Sequence, residues 1–315
     1  MNVSVIIPAY NAGSTIRATL DSVLHQTVQP HEILVMDDGS TDNTSSILES
    51  YRPRVTSFQQ PNGGLSSGRN FLCLQARGDL IAFLDSDDVW HPKYLEVQLK
   101  SFRQHPGAVA GFAGHVNFRG DGGYEWGPDP DFSVNAELMP PIDFFRRYNT
   151  ATAHFASYSF CCATKRALTE LGPEPFKENG AEDFFCSALL SLLGPVFYTA
   201  VPVAAYRVRA GSISSDRIKG LAARVRAFEV LEKERNYLKV ADPALAAEFT
   251  RIFASHRRVF AKQLMGASEV GAAREQLRCS LRSREPKSIG KSLALLFSTY
   301  FPSQLQPKWP TSYQR

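Results

Sequence analysis

An apolar run that ends in three aspartates constrains this chain more than any other feature. Residues 80–84 are consecutive apolar residues, and Asp85, Asp87 and Asp88 follow them at once. Such a run is typical of a strand that is buried on both faces, as in a parallel sheet. Carboxylates this close together repel one another unless a cation lies between them. Hard oxygen ligands suit Mg²⁺ or Mn²⁺, although the same residues would also form a solvated acidic turn.

The first ninety residues alternate between strand and helix patterns. β-Branched and apolar runs cover 3–7, 33–36, 55–58 and 80–84, and helical spacing occupies the stretches between them. Strict alternation with short links predicts a parallel α/β sheet with right-handed crossovers. In open sheets of this kind, ligands bind outside the carboxyl ends of the strands, where the aspartates lie.

The second half of the chain has a looser pattern. Strands are expected near 109–112, 116–118, 159–163 and 203–208, with a helix over 181–193. Only helical spacing remains from residue 218 onward. We therefore predict two parts, a sheet-containing domain over 1–215 and a helical region over 216–315.

Composition excludes several classes of protein. A net charge of +4 is too small to indicate a nucleic-acid partner. The five cysteines lack the spacing of a disulfide framework, which favours a reducing compartment. The chain has no secretory signal pattern and no run of about 18 apolar residues. These features predict a cytoplasmic protein, either free or on the inner face of a membrane.

The C-terminal stretch favours contact with a membrane surface. Basic side chains precede or enter an apolar run at 293–297, and aromatic residues follow it: Arg274, Arg278, Arg282, Arg284, Lys287 and Lys291, then Tyr300, Phe301 and Trp309. Basic residues beside a short apolar helix suit adsorption to an anionic leaflet. A terminal helix docked on its own domain explains the pattern equally well.

Four short motifs lie in the first ninety residues, namely VSVIIPAYN at 3–11, DDGSTD at 37–42, NGGLS at 62–66 and FLDSDD at 83–88. Taken together, in this order and at this spacing, they resemble the pattern of glycosyltransferase family 2. The resemblance implies an α/β fold of the GT-A type, with a Rossmann-like, mostly parallel sheet flanked by helices and a C-terminal helical appendage. It also implies a nucleotide-sugar donor (UDP-linked), a divalent metal and inversion at the anomeric carbon.

The resemblance assigns residues near the first two strands to the donor. Pro8, Ala9 and Tyr10 are expected to meet the base and ribose. Asp38 is expected to accept a hydrogen bond from a ring N–H of the base, such as uracil N3–H. Arg69, on the helix after the Gly-Gly loop, is a further candidate to face the nucleotide, but a surface arginine would look the same in sequence.

The acidic motifs are assigned to the reacting end of the donor. Asp85 is expected to bind ribose hydroxyls, and Asp87 to bind the Mn²⁺ or Mg²⁺ that neutralises the departing diphosphate. Glu182 and Asp183 resemble the family's Glu-Asp block, in which Asp183 matches the base that takes the acceptor proton. Two acids in a first helical turn would also simply complement the helix macrodipole.

Two departures from the family pattern refine the prediction. The Gln-x-x-Arg-Trp block of processive members is absent, which favours a single sugar transfer per encounter. Arg209 occupies a position that is often histidine in the family. A guanidinium has no lone pair for a metal, so Arg209 is expected to neutralise the diphosphate directly, unless it is a surface residue.

The predicted function is transfer of one sugar to a saccharide or lipid-linked acceptor in surface polysaccharide or glycan synthesis. Two alternatives stay open. One is a nucleotide-sugar-binding protein without turnover. The other is a sugar nucleotidyltransferase, which would be expected to carry a lysine in a Gly-rich loop directly after the first strand. Residues 8–13 contain no lysine.

Overall fold

The computed structural model describes residues 1–148, 158–177, 179–209, 217–233, 243–281 and 286–300. The predicted domain boundary near Ser215 lies outside these residues. So do four members of the C-terminal basic and aromatic stretch, namely Arg282, Arg284, Phe301 and Trp309.

The described residues contain nine strands and eleven α-helices. The strands are β1 (Val3–Ala9), β2 (Glu32–Asp37), β3 (Thr56–Gln59), β4 (Leu80–Phe83), β5 (Val89–Trp90), β6 (Ala110–Phe118), β7 (Glu137–Met139), β8 (Cys161–Thr164) and β9 (Val196–Arg207). The helices are α1 (Ile16–Leu24), α2 (Thr44–Ser50), α3 (Gly64–Gln75), α4 (Tyr94–Gln104), α5 (Pro141–Tyr148), α6 (Lys165–Glu170), α7 (Glu182–Leu193), α8 (Arg217–Lys233), α9 (Pro243–Gly266), α10 (Val270–Ser280) and α11 (Pro286–Ser298).

The predicted parallel sheet is present in the N-terminal half of the fold. β1 pairs in parallel with both β2 and β4, and β2 pairs in parallel with β3. Every residue of β1 is buried, as expected for a central strand that is covered on both faces. The register sets Ala9 beside Asp37, so the loops that follow β1 and β2 leave the sheet at the same edge.

The other half of the sheet is mixed. β8 lies antiparallel between β4 and β6, β6 and β9 are parallel, and β5 and β7 each pair antiparallel with β9. β6 is one strand where two were expected, and its register shifts around Gly114. A Cβ on Gly114 would lie 2.6 Å from the Ala200 carbonyl oxygen, so glycine permits this close approach.

Two cores cover the two faces of the sheet. Ile6 of β1 packs in the core that includes α3 and α7, whereas its neighbours Val5 and Ile7 pack in the core that includes α1 and α4. The first core extends into the C-terminal helices, where the Phe228 and Phe253 rings stack with centroids 4.8 Å apart. The helical appendage therefore shares the core that supports α7.

None of the helices in the described ranges is long and apolar enough to cross a bilayer.

Candidate active site

The loops after β1 and β2 are joined by Asn11. Its backbone N–H donates to the Ser40 hydroxyl at 2.9 Å, and its side-chain oxygen accepts from the Thr41 backbone N–H at 2.8 Å. Asn11 has a φ of 48°, a left-handed conformation that asparagine tolerates better than most residues. The arrangement holds the preceding residue, Tyr10, at the sheet edge with 50% of its surface exposed. Tyr10 thus offers a ring to a ligand at this edge.

Asp38 anchors the loop that leads into α3. Its buried carboxylate accepts from the backbone N–H groups of Gly63 at 2.9 Å and Gly64 at 2.8 Å, and from the Gln60 amide at 2.6 Å. A carboxylate has about four acceptor positions, so these three donors leave one for a ring N–H of a base. Pro8 and Ala9 are buried in β1, and the Ala9 carbonyl accepts from the Asp38 backbone N–H at 2.8 Å.

The first residue of α3 has to be glycine. Gly64 has a φ of +82°, and a Cβ there would lie 2.5 Å from the amide nitrogen of Asn179. The Asn179 side-chain oxygen in turn accepts from the Ser66 backbone N–H at 3.0 Å. The Gly-Gly loop is therefore packed against the segment that precedes α7.

Arg69 joins the aspartate loop to the start of α7. It is 2% exposed, and its guanidinium lies 2.5 Å from Asp85 Oδ1 and 2.9 Å from Glu182 Oε1. Burial acts to lower the pKa of Arg69, but the two carboxylates hold that pKa above its ordinary value. The interpretation of Arg69 as a surface arginine is wrong. It is the cation that holds together two acidic motifs more than ninety residues apart in the chain.

Asp183 follows Glu182 at the first turn of α7. Its Oδ1 accepts from the Phe184 backbone N–H at 2.6 Å, and Glu182 Oε2 accepts from the Gly180 backbone N–H at 2.6 Å. Burial and the neighbouring Glu182 carboxylate raise the pKa of Asp183 to about 6, against the opposing effect of Arg69. A carboxylate with such a pKa is ionised at neutral pH and is more basic than an ordinary aspartate, which suits proton abstraction.

The three aspartates after β4 have different surroundings. Asp85 is held by Arg69, and Asp88 is fully buried with its Oδ1 accepting from the Arg207 backbone N–H at 2.8 Å. Asp87 keeps 37% of its side chain exposed. Burial and the Asp85 carboxylate raise the pKa of Asp87. Asp87 is thus the carboxylate of this loop most open to a ligand, and its role as a metal ligand stays a prediction.

Side chains of α1 and the 158–160 turn hold the aspartate loop in place. Thr15 and Thr19 donate from their hydroxyls to the carbonyls of Ser86 and Asp88 at 2.9 and 2.8 Å. The Ser159 hydroxyl accepts from the Asp85 backbone N–H at 3.0 Å. These contacts preorganise the loop before any ligand binds.

Arg207 is a residue of this site that sequence reasoning missed. It is 2% exposed, and its Nε donates to the Asp87 carbonyl at 2.5 Å while Nη2 donates to the Gly122 carbonyl at 2.8 Å. No local pattern in the sequence indicates this position, because the loops that Arg207 contacts lie 120 and 85 residues away in the chain.

Arg209 lies beside Asp87, with Nη2 3.6 Å from Asp87 Oδ2. Its Nε and Nη2 atoms are shielded from solvent and make no hydrogen bond to any residue that the structure describes. Unpaired guanidinium donors next to a carboxylate loop are suited to phosphate oxygens. The structure places Arg209 beside Asp87, and its predicted contact with the diphosphate stays a prediction.

A divalent ion fits this loop only with help from a ligand. Within the described residues, no group of three His, Cys, Asp or Glu side chains is placed to hold a metal. The Asp87 carboxylate, with Asp85 close enough to raise its pKa, supplies hard oxygen donors whose repulsion a cation would relieve. The part of the chain that the structure describes therefore offers one or two ligands, and oxygens of a bound ligand would add to them.

The fold and this edge of the sheet define a protein of the GT-A class. The family model described as Glycosyl transferase family 2 matches residues 4–172, which is more than half of the chain. The chain belongs to glycosyltransferase family 2, and the resemblance seen in the four motifs is confirmed.

Two relatives illustrate this similarity. The chain is 38% identical over 139 residues to the chondroitin synthase of Pasteurella multocida (strain Pm70), a match that covers 42% of this chain and 14% of that protein. It is 44% identical over 99 residues to the Escherichia coli UDP-Glc:alpha-D-GlcNAc-diphosphoundecaprenol beta-1,3-glucosyltransferase WfgD, covering 31% of this chain and 39% of that protein. The chain thus matches less than half of the length of either relative.

Solved structures show the same architecture. TarS 1-349 of S. aureus, crystallised in complex with UDP-GlcNAc, superposes with a TM-score of 0.68 at 19% sequence identity, covering 95% of this chain and 89% of that one. The predicted GT-A fold, including its C-terminal helices, is confirmed by this likeness.

Proposed function

We propose that this chain is an inverting glycosyltransferase that moves one sugar from a UDP-sugar to a hydroxyl of a saccharide or lipid-linked acceptor in surface polysaccharide synthesis. One observation carries the proposal. The buried Arg69 joins Asp85 to Glu182 and so brings Asp183 to the loop on which the diphosphate would lie. A carboxylate base and a phosphate site at one sheet edge are what glycosyl transfer with inversion requires.

The donor would lie across the carboxyl ends of β1, β2 and β4. The exposed Tyr10 ring and the remaining acceptor position of Asp38 suit a pyrimidine base, with backbone groups of Pro8 and Ala9 beside it. Asp85 keeps 28% of its side chain exposed and can accept from ribose hydroxyls while bound to Arg69. The name of the E. coli relative, which specifies UDP-Glc, supports a uridine donor.

The diphosphate would lie between Asp87 and Arg209. Asp87 would hold Mn²⁺ or Mg²⁺, and the ion, when bound, neutralises the leaving diphosphate as a Lewis acid. Arg209 presents a planar fork that matches two phosphate oxygens. Since the protein supplies so few metal ligands, we expect the metal to bind weakly alone and more tightly once UDP is present.

Asp183 would remove the proton from the acceptor hydroxyl. The acceptor oxygen bonds to the anomeric carbon as the bond from that carbon to the diphosphate breaks, and the proton ends on the Asp183 carboxylate. Attack from the face opposite the leaving group inverts the configuration at the anomeric carbon. The raised pKa of Asp183 makes this carboxylate a better proton acceptor than an ordinary aspartate.

The exposed face of α11 supports contact with an anionic membrane surface. Leu293 and Phe297 are 51% and 67% exposed and lie four residues apart, on one side of the helix, and Tyr300, two residues beyond its end, is 58% exposed. Lys287 and Lys291 precede them, and residues 286–298 contain no acid. The opposite side, with Leu295 at 4% exposure, packs on the domain, so the helix is docked while Leu293 and Phe297 each keep more than half of their surface exposed. We propose that the protein acts at the cytoplasmic face of a membrane, where lipid-linked acceptors would be accessible.

The proposal is tested by a donor screen. UDP-, GDP- and dTDP-sugars are mixed with the protein and Mn²⁺, and both binding and release of the nucleoside diphosphate are measured. We expect a UDP-sugar to bind best and to be turned over. Binding without any turnover would identify a nucleotide-sugar-binding protein, and a clear preference for GDP-sugars would overturn the assignment of Asp38 to uracil.

A further inference from the structure

A groove outside the donor site lies between α1 and the loop that follows β6. Its volume is about 390 Å³, within the roughly 300–1,000 Å³ of small-ligand sites. Asp21 and Ser22 of α1 and His25, the residue after this helix, form one wall, β5 contributes to the floor, and Tyr124 and Trp126 form the other wall. Both aromatic side chains are partly exposed.

The aromatic wall is held firmly. Arg207 donates to the carbonyls of Gly120 and Gly122 at the start of the loop. The Trp126 ring meets the Tyr124 ring edge-on, with centroids 4.7 Å apart at 76°, and meets the His91 ring in the same way at 4.8 Å. A preorganised wall loses little conformational entropy when a ligand binds.

The chemistry of the groove suits a neutral saccharide. Ring faces of Tyr and Trp pack on the C–H faces of sugar rings, and the carboxylate, hydroxyl and imidazole groups of the α1 wall suit sugar hydroxyls. Among the described residues that line the groove there is no lysine or arginine, and Asp21 would repel an acidic sugar. The polar wall also disfavours an acyl chain.

The groove is joined directly to the aspartate loop. β5 begins at the residue after Asp88, and the Ser22 hydroxyl accepts from the Trp90 backbone N–H at 3.2 Å. Arg207, which positions the aromatic wall, also donates to the carbonyl of Asp87. One buried side chain thus fixes both the predicted metal-binding residue and the groove.

We propose that this groove binds a neutral oligosaccharide, namely the part of a growing acceptor chain that lies beyond the hydroxyl being glycosylated. The saccharide class rests on the lining chemistry, and the role as an acceptor subsite rests on the proposed glycosyltransferase function. An acceptor of several sugars then binds at two places, with its reactive end near Asp183 and its distal sugars against Trp126.

The test measures saccharide binding without a donor. Maltohexaose, cellohexaose, chitohexaose and an acidic chondroitin hexasaccharide are titrated by calorimetry and saturation-transfer NMR. We expect at least one neutral hexasaccharide to bind and Trp126→Ala to weaken that binding about tenfold or more, the scale of a lost tryptophan contact at a binding site. Leu74→Ala, which truncates a leucine of α3 that is 62% exposed, is the control and should leave saccharide binding unchanged. UDP affinity of each variant reports whether the protein remains folded.

A second variant keeps the test decisive if Trp126→Ala does not fold. Asp21→Asn retains the oxygen that accepts from the Tyr51 hydroxyl at 2.9 Å but removes the charge. This variant should bind neutral saccharides several-fold more weakly and should discriminate less against the chondroitin hexasaccharide. Failure of every neutral hexasaccharide to bind, or equal binding by all the variants, overturns the inference. A chain that binds these saccharides but never turns over a donor would refute the acceptor role and the proposed function while the groove stands as a saccharide site.

Discussion

Replacing Asp183 by asparagine separates a catalytic role from a structural one. The change removes the charge but keeps the oxygen that accepts from the Phe184 backbone N–H. The pKa of Asp183 is raised from 3.8 to about 6 in the folded protein, so ionisation costs the folded state more than the unfolded state. At 1.36 kcal/mol per pKa unit, the penalty is at most about 3 kcal/mol above pH 7 and shrinks as pH falls below 6.

The asparagine variant lacks that penalty. We therefore expect Asp183→Asn to gain stability relative to the parent as pH rises from 5 to 8, by roughly 1–1.5 kcal/mol over this range. Turnover should fall by at least about a hundredfold, the scale of a lost general base, while UDP binds as before. In the parent, turnover should rise with pH through about 6 as Asp183 ionises.

Urea denaturation at pH 5, 6 and 8 and a coupled assay of UDP release measure these effects. Asp143→Asn, a surface change on α5, is the matched control and should shift stability by less than about 0.5 kcal/mol at every pH. An Asp183→Asn protein that loses stability relative to the parent as pH rises, or that keeps its turnover, would refute the reasoning. In the second case Glu182 would be the next candidate for the base.

Three further substitutions test the ion pair at Arg69, the Gly-Gly loop and the exposed face of α11. Arg69→Met should lower the free energy of unfolding by about 3–5 kcal/mol, because it leaves the buried Glu182 carboxylate without its cation. An unchanged midpoint of urea denaturation would contradict a stabilising role for this ion pair. Gly64→Ala should lower the free energy of unfolding by about 1–3 kcal/mol and weaken UDP binding, because its backbone is in the left-handed region. Gly290→Ala is the control: Gly290 has open space around it in α11, so this change should raise the free energy of unfolding by about 0.5–1 kcal/mol. Phe297→Ser should reduce binding to phosphatidylglycerol-containing vesicles about tenfold or more, with Leu74→Ser as the control. Equal vesicle binding by the two serine variants would argue against the α11 face.

The N-terminal half of the fold follows from local patterns. Apolar runs, short links and helical spacing define β1 to β4 and the helices between them, and parallel pairing follows from the alternation. The positions of Asp38 and the aspartate loop follow as well, because the carboxyl ends of parallel strands share an edge.

The mixed half of the sheet and the links across the site did not follow from the sequence. β5 and β7 have two and three residues, too few to show a period, and α5 and α6 are short. The pairing of Arg69 with Glu182 joins residues 113 positions apart, and no local pattern reports such a contact. The burial of Arg207 escaped notice for the same reason, since its partners come from loops more than eighty residues away.

A crystal structure with a UDP-sugar and Mn²⁺ tests the central claim most directly. The account predicts the uracil ring against Tyr10 and Asp38, the diphosphate between Asp87 and Arg209, and the anomeric carbon with its open face toward Asp183. A nucleotide bound elsewhere on the sheet, or an anomeric carbon with Asp183 on the same side as the diphosphate, would contradict it.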